Sequence, residues 1–300
     1  MSTILTHTTL ILIIVLVPSV LAFWGIWRVR RLKGTVSPVA DKILRPAGYS
    51  LSLKIEEMTD GLIHRIALPL ALFVLSLSPI MIFSDTIVRL NLPGLVGVLG
   101  GCFVALIASV VISAITFRSY FNSLSNHSLG LRGEWLVAEK LSFLLKDGFR
   151  VYHDFPLKDL AKEANIDHIV VGPTGVFAIE TKMRRKHRKV QGNRESHQVE
   201  YDGNTLQYPS FEDRHGINQA LANAKYLERF IRKETDLAIP VVPILILPGW
   251  YVVQKFPSKL QVVSHKVAPD RIKKHRNHLP PDQQKKVCRS VERECRDVVV

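Results

Sequence analysis

Residues 166–182 read IDHIVVGPTGVFAIETK. Two apolar runs flank Gly172-Pro173-Thr174-Gly175, and Pro and Gly are the residues that tight turns select. The stretch predicts a β-hairpin. With a two-residue loop at Pro173 and Thr174, Gly172 pairs with Gly175. Behind that pair, Val171 meets Val176, Ile169 meets Ala178 and Asp167 meets Glu180. Directly opposite residues share a face about 5 Å apart. Side chains alternate along a strand, so Lys182 returns to the face of Glu180. The other face keeps Ile166, Val170, Phe177 and Ile179 for a core. An apolar hairpin therefore gathers two carboxylates and an ammonium at its open end.

Like charges set opposite one another repel. Two arrangements relieve that repulsion. In one, Asp167 and Glu180 form salt bridges with Lys182 or Arg184 at an exposed sheet end. In the other, they bind Mg²⁺ (or Mn²⁺), which takes one or two carboxylates together with waters and phosphate oxygens. Such an ion polarises a phosphodiester and lowers the pKa of a bound water. Lys182 would then orient the water or stabilise developing charge.

Around the hairpin, the sequence predicts a mixed α/β domain from about residue 128. EWLVAEKLSFLLK (134–146) has helical spacing and DGF ends it. RVYHDFPL (150–157) reads as a strand, and HQVEYDG and TLQYPS as two weak ones. INQALANAKYLERFIRK (217–233) is an amphipathic helix. IPVVPILILPG (239–249) is apolar on both faces, which predicts a central strand. KLQVVSHKV is a last possible strand, and PPDQQKKVCRSVERECRDVV a terminal helix. The order predicts a mixed sheet flanked by helices.

Ahead of this domain stand three uncharged runs, 9–27, 66–83 and 92–117, each near the ~20 residues that a bilayer core requires. RSYFNSLSNHSLGL (118–131) reads as a polar connector. Basic residues fill the 28–65 loop, while the 84–91 loop holds only Arg89 against Asp85. By the positive-inside rule the long loop and everything after residue 117 are cytoplasmic. The expectation is a multi-pass protein of the plasma (inner) membrane. Residues 1–127 form its anchor, 128–247 its soluble domain and 248–300 a basic extension. No charged residue lies inside a span, which argues against an ion or proton path.

The formal net charge is +14, of which +9 falls in residues 128–300. A basic balance points to phosphates, in nucleic acid or lipid. The run KMRRKHRK (182–189) follows the charged hairpin directly. Neutralising nucleic-acid phosphates, facing anionic lipid and lying as a solvated loop all fit it. His168 faces away from the charged trio by alternation. Cys288 and Cys295, seven apart on a helix, stand roughly 10 Å apart, too far for a disulfide.

LGLRGEWLVAEKL, NIDHIVVGPTGVFAIETK, YDGNTLQYPS and INQALANAKYL together resemble the NERD (nuclease-related) domain, over roughly residues 128–247. That domain is similar to the PD-(D/E)xK nucleases. The resemblance implies a restriction-endonuclease-like core sheet of four strands with flanking helices. It implies Asp167, Glu180 and Lys182 as the catalytic trio. It adds Glu134, an acidic position at the start of the first helix, and Gln219, a polar position on the later helix. Ile166, not Pro, precedes Asp167. The implied activity is metal-dependent hydrolysis of DNA or RNA. The alternative is a non-catalytic module that binds nucleic acid or a protein partner on a membrane tether.

Overall fold

The computed structural model describes residue 24 and residues 41–62, 87, 89–158, 164–186 and 197–299. The expected spans at 9–27 (Trp24 apart) and 66–83 lie outside the described residues. The described elements begin with β1 (Lys42–Ile43), α1 (Tyr49–Asp60) and α2 (Leu92–Ser142). A 3-10 turn over Phe143–Asp147 follows α2. Next come β2 (Arg150–Pro156), β3 (Asn165–Gly172), β4 (Gly175–Thr181), β5 (Gln198–Tyr201), β6 (Leu206–Gln207) and β7 (Glu212–Asp213). The chain continues with α3 (His215–Thr235), β8 (Val241–Ile246), β9 (Tyr251–Gln254) and β10 (Gln261–Val263). It ends with α4 (Ala268–Lys273), α5 (Pro281–Cys295) and β11 (Val298–Val299).

Contacts divide the chain into two compact units, residues 1–38 with 57–123 and residues 39–56 with 124–300. The first holds most of α2, the one helix among the described residues that is long and apolar enough to cross a bilayer. Asn91 caps it, its Oδ1 accepting the Gly94 N–H at 3.0 Å. Pro93 sits in the first turn, where its missing N–H costs nothing. The 118–131 stretch, expected as a connector, is helical throughout. It contains no proline, and extending an existing helix avoids the cost of a new nucleus. Gly148, in the left-handed region at φ 81°, stops the chain after the 3-10 turn.

The second unit is built on a five-stranded sheet of order β10-β8-β4-β3-β2. β2, β3 and β4 are antiparallel, while β4, β8 and β10 run parallel. The sheet is mixed and flanked by helices, as expected; β8 is an interior strand between β10 and β4, and the middle strand is β4. It has five strands where the resemblance implies four, because Gln261–Val263 adds a parallel edge beside Ile244–Ile246. A second sheet, β7-β6-β5-β9, includes Tyr251–Gln254, which the sequence reading did not identify as a strand. Its exposure pattern does not alternate, so its apolar residues carry no periodic signal.

Each face of the main sheet buries a core. Ile169, Val171, Val176 and Ala178 pack beneath α3 and α5, against Leu227, Ile231 and Val291. Val170, Phe177 and Ile179 pack on the other side, against Val137, Leu141 and Ile272. Ile166 departs from the expected alternation and joins the α3–α5 core with Ile169. Tyr152 and Phe155, three apart on β2, do the same. The ladder between the two strands is interrupted there: His153 pairs His168 and Phe155 pairs Ile166, with no pair between. Asp154 stands at the break with φ 52°. The register is the same on both sides of the gap, so no residue is inserted, and the left-handed φ of Asp154 is what re-aims Phe155 after it.

Candidate active site

The hairpin has the expected register. Gly172 pairs Gly175, Val171 pairs Val176 and Ile169 pairs Ala178. The ladder ends at His168 with Ile179, one pair short of Asp167 and Glu180. In its place the Asp167 carboxylate accepts the Thr181 N–H at 2.7 Å on Oδ2. A side chain thus does at the strand end what a carbonyl does along the ladder. The Lys182 N–H donates to the Ile246 carbonyl at 3.0 Å, which carries the line of β4 past its last residue. Lys182 thereby reaches back to Glu180, with Nζ 2.7 Å from Oε1.

Two helices close the site, each at a glycine. A Cβ on Gly133 of α2 would stand 2.8 Å from the Met183 Cβ. A Cβ on Gly216 of α3 would stand 3.1 Å from the Lys182 Cγ. Glycine allows these close backbone approaches, and they bring Glu134 and Gln219 to the strand ends. Gln219 Oε1 accepts a hydrogen bond from Lys182 Nζ at 2.9 Å. Glu134 is buried, and its Oε2 has no hydrogen-bond partner among the described residues.

The structure therefore collects Glu134, Asp167, Glu180, Lys182 and Gln219 in one place. Sequence reasoning missed Asn223, whose Nδ2 donates to Glu180 Oε2 at 2.9 Å. A signal existed, since Asn223 is one helical turn from Gln219 and lies among the buried residues Ile217, Ala220, Ala224 and Leu227. It also missed Asp154, a fully buried acid whose charge acts on both Glu134 and Asp167. Nothing in RVYHDFPL distinguishes that aspartate from an exposed one.

Electrostatically the site is out of balance. Glu134, Asp167 and Glu180 are each no more than 5% exposed, and among the described residues one ammonium pairs with them. Burial, reinforced by Asp167, pushes both Glu134 and Glu180 far above the usual carboxylate range. Burial also raises Asp167, against the pull of Lys182 and the Thr181 N–H. Burial works against the charge of Lys182, but Glu180 and Asp167 outweigh it and raise its pKa. Carboxylates held like this release their protons when a cation is supplied.

Among the described residues, no three His, Cys, Asp or Glu side chains form a ready metal cage. Mg²⁺ does not ask for one, since it keeps waters and takes one or two carboxylates. The unpartnered Glu134 oxygen and the excess of buried carboxylates fit such an ion.

His168 is fully buried, with Nδ1 2.8 Å from Nδ1 of His153. Burial drives both rings toward the neutral form. They belong to the packing rather than to the trio. Part of the basic run is engaged within the fold. Arg184 pairs with Asp213 at 2.6 Å, and Arg185 bonds Asn126 and Ser125. Lys186 lies over the Trp250 ring at 5.4 Å. Residues 187–189 are outside the described residues.

Comparison with known proteins finds a family match over part of the chain. Residues 129–248 match NERD, the nuclease-related domain. The matched span contains all five expected site residues and Asn223. No curated protein and no solved structure matches the chain.

Proposed function

We propose, from the match to the nuclease-related domain and the chemistry of the site, that this protein hydrolyses phosphodiesters of DNA or RNA with Mg²⁺ or Mn²⁺. One observation carries the reading. Among the described residues, three buried carboxylates and a single lysine converge at one end of a mixed sheet, with a carboxylate oxygen of Glu134 left unpartnered. A purely structural network has no use for that surplus, because a buried carboxyl without partners is costly whether it is charged or protonated.

Asp167 and Glu180 would hold the cation, with Glu134 able to add to the set. The ion would supply charge neutralisation at the phosphate and a more acidic water. The chain's own residues do the rest. Asn223 and Lys182 each occupy one oxygen of Glu180, which fixes the plane of its carboxylate. Gln219 holds the Lys182 ammonium from the other side. Lys182 is thus a donor set in advance where water is oriented or where negative charge grows on phosphate.

The reading includes a tether. On α2 the large apolar side chains of Val96, Phe103, Val104, Ile107 and Ile115 are exposed, as suits lipid rather than water. With the other two apolar runs and the basic 28–65 loop, this supports a multi-pass anchor and a cytoplasmic domain.

The test is cleavage of labelled DNA and RNA by the full chain in detergent micelles, with Mg²⁺, with Mn²⁺ and with chelator. Metal-dependent cleavage that disappears in Asp167→Ala and Lys182→Ala supports the reading. Cleavage that persists in both variants assigns it to the wrong residues. Nucleic-acid binding without cleavage under any metal favours a non-catalytic module.

A further inference from the structure

Asp154 is fully buried and strained. Its φ of 52° lies where L residues are uncommon, although Asp and Asn tolerate it better than others. Such a conformation persists only where the surroundings enforce it. The residues that enforce it come mostly from a distant part of the chain. Arg45, 109 residues earlier, donates Nη1 to the Asp154 carboxylate at 2.8 Å and to its carbonyl at 3.1 Å. Ser50 donates its N–H to Oδ1 at 3.0 Å and its hydroxyl to Oδ2 at 2.7 Å. Asn165 Nδ2 adds a bond to Oδ1 at 2.7 Å.

Arg45 is itself held. Its Nε and Nη2 form a two-pronged pair with Asp297 at 2.7 and 2.6 Å, and its N–H donates to the Cys295 carbonyl at 2.8 Å. The flanking segment is pinned on either side. β1 pairs antiparallel with β11, and Trp135 Nε1 donates to the Ala47 carbonyl at 3.1 Å. Trp135 is the residue after Glu134, so the strap touches the helix that carries the orphan carboxylate.

The register of β2 on β3 sets Asp154 level with Asp167, at the gap in the ladder. A bare carboxylate there would compete with Asp167 for donors and for any bound cation. Arg45 balances its charge, and Ser50 and Asn165 occupy its lone pairs. Asp154 is thereby saturated and turned to the strap, leaving Glu134, Asp167 and Glu180 to face the ion.

We propose that Arg45 and Ser50 are positioning residues of the active site, acting through Asp154 to keep Asp167 available for a divalent cation. The inference rests on the metal-site reading above. It makes the 41–56 segment, which precedes the nuclease-related domain, part of the machinery.

The experiment uses the full chain in detergent micelles and follows Mn²⁺ binding by electron paramagnetic resonance, alongside thermal unfolding. Arg45→Ala frees the Asp154 carboxylate, so Mn²⁺ should bind at least as tightly as to the wild type but no longer depend on Asp167. Asp167→Ala is expected to weaken Mn²⁺ binding about 10–100-fold or more in the wild-type background and to change it little beside Arg45→Ala. Asp154→Asn added to Arg45→Ala should restore the dependence on Asp167, since it removes the freed charge. If Arg45→Ala does not unfold cooperatively, Ser50→Ala, which keeps the backbone bond, carries the same comparison. An Asp167→Ala effect as large beside folded Arg45→Ala as in the wild type, or beside Ser50→Ala where that variant carries the test, overturns the proposal. Equal binding by wild type and Asp167→Ala instead overturns the metal-site reading itself.

Discussion

Asn223 and Glu180 are 43 residues apart in the chain, and the Asn223 amide donates to the Glu180 carboxylate at 2.9 Å. The bond spans helix α3 and strand β4 in a fully buried setting. Asn223→Ala would leave that oxygen without a donor. We expect a loss of about 1–3 kcal/mol in denaturant unfolding, the cost of an unsatisfied buried group. Cleavage should weaken as well, because the carboxylate plane is no longer fixed.

Lys182→Ala removes the cation that stands 2.7 Å from Glu180, the only one paired with it among the described residues. Cleavage should fall by about 10²-fold or more, the range for a positioned proton-transfer or charge-stabilising group. Single-turnover assays at saturating Mg²⁺ check this. A variant with an undiminished rate would remove Lys182 from the chemistry.

The raised carboxyls make the metal-free protein sensitive to pH. Glu134 and Glu180 hold protons more tightly when folded than unfolded. The folded state therefore binds more protons, and stability falls as pH rises above the ordinary carboxylate range. His153 and His168, pushed the other way, oppose that slope only below about 6.5, the ordinary histidine value. Lys182, raised from a value already above 10, adds no slope near neutrality. From about pH 7 upward, stability should decline in chelator, and Mg²⁺ should reduce the decline while releasing protons. Unfolding curves with and without Mg²⁺, and proton release on Mg²⁺ addition, measure both.

Gly133→Ala would place a Cβ 2.8 Å from the Met183 Cβ. Both atoms are close to backbone, so neither can swing aside. Overpacking of this kind costs about 1–3 kcal/mol. Because the next residue is Glu134, activity should drop further than stability alone accounts for. Parallel unfolding and cleavage assays separate the two effects.

A chain begun at residue 128 would lack Arg45 and Ser50 and leave the buried Asp154 without its cation. Breaking a buried pair in this way costs about 3–5 kcal/mol. We expect such a fragment to unfold at markedly lower denaturant than the full chain. Asp154→Asn within the fragment should recover part of the loss.

Much of the site was legible because a tight turn and a period of two are local rules. GPTG set the register, and that register placed Asp167, Glu180 and Lys182 together at one strand end. The helix of Gln219 was equally legible from its apolar spacing. What escaped was non-local or depended on backbone departures. Asp154 is an ordinary letter in a strand until its left-handed φ falls at the gap in the ladder, next to Phe155, which joins the α3–α5 core. The connector at 118–131 looked like a break because its side chains are polar, but polarity alone does not end a helix.

The amino-acid order by itself determined the hairpin, its pairing and the chemical character of its open end. Turn residues and side-chain alternation act over a few residues and need no distant partner. Only the tertiary structure decided how those charges are held. Burial made the carboxylates reluctant to ionise, α3 brought Asn223 to Glu180, and the 41–56 strap brought Arg45 to Asp154. Each of these depends on residues far apart in sequence meeting where water is excluded. Desolvation and charge pairing are properties of that enclosed place rather than of any stretch of chain.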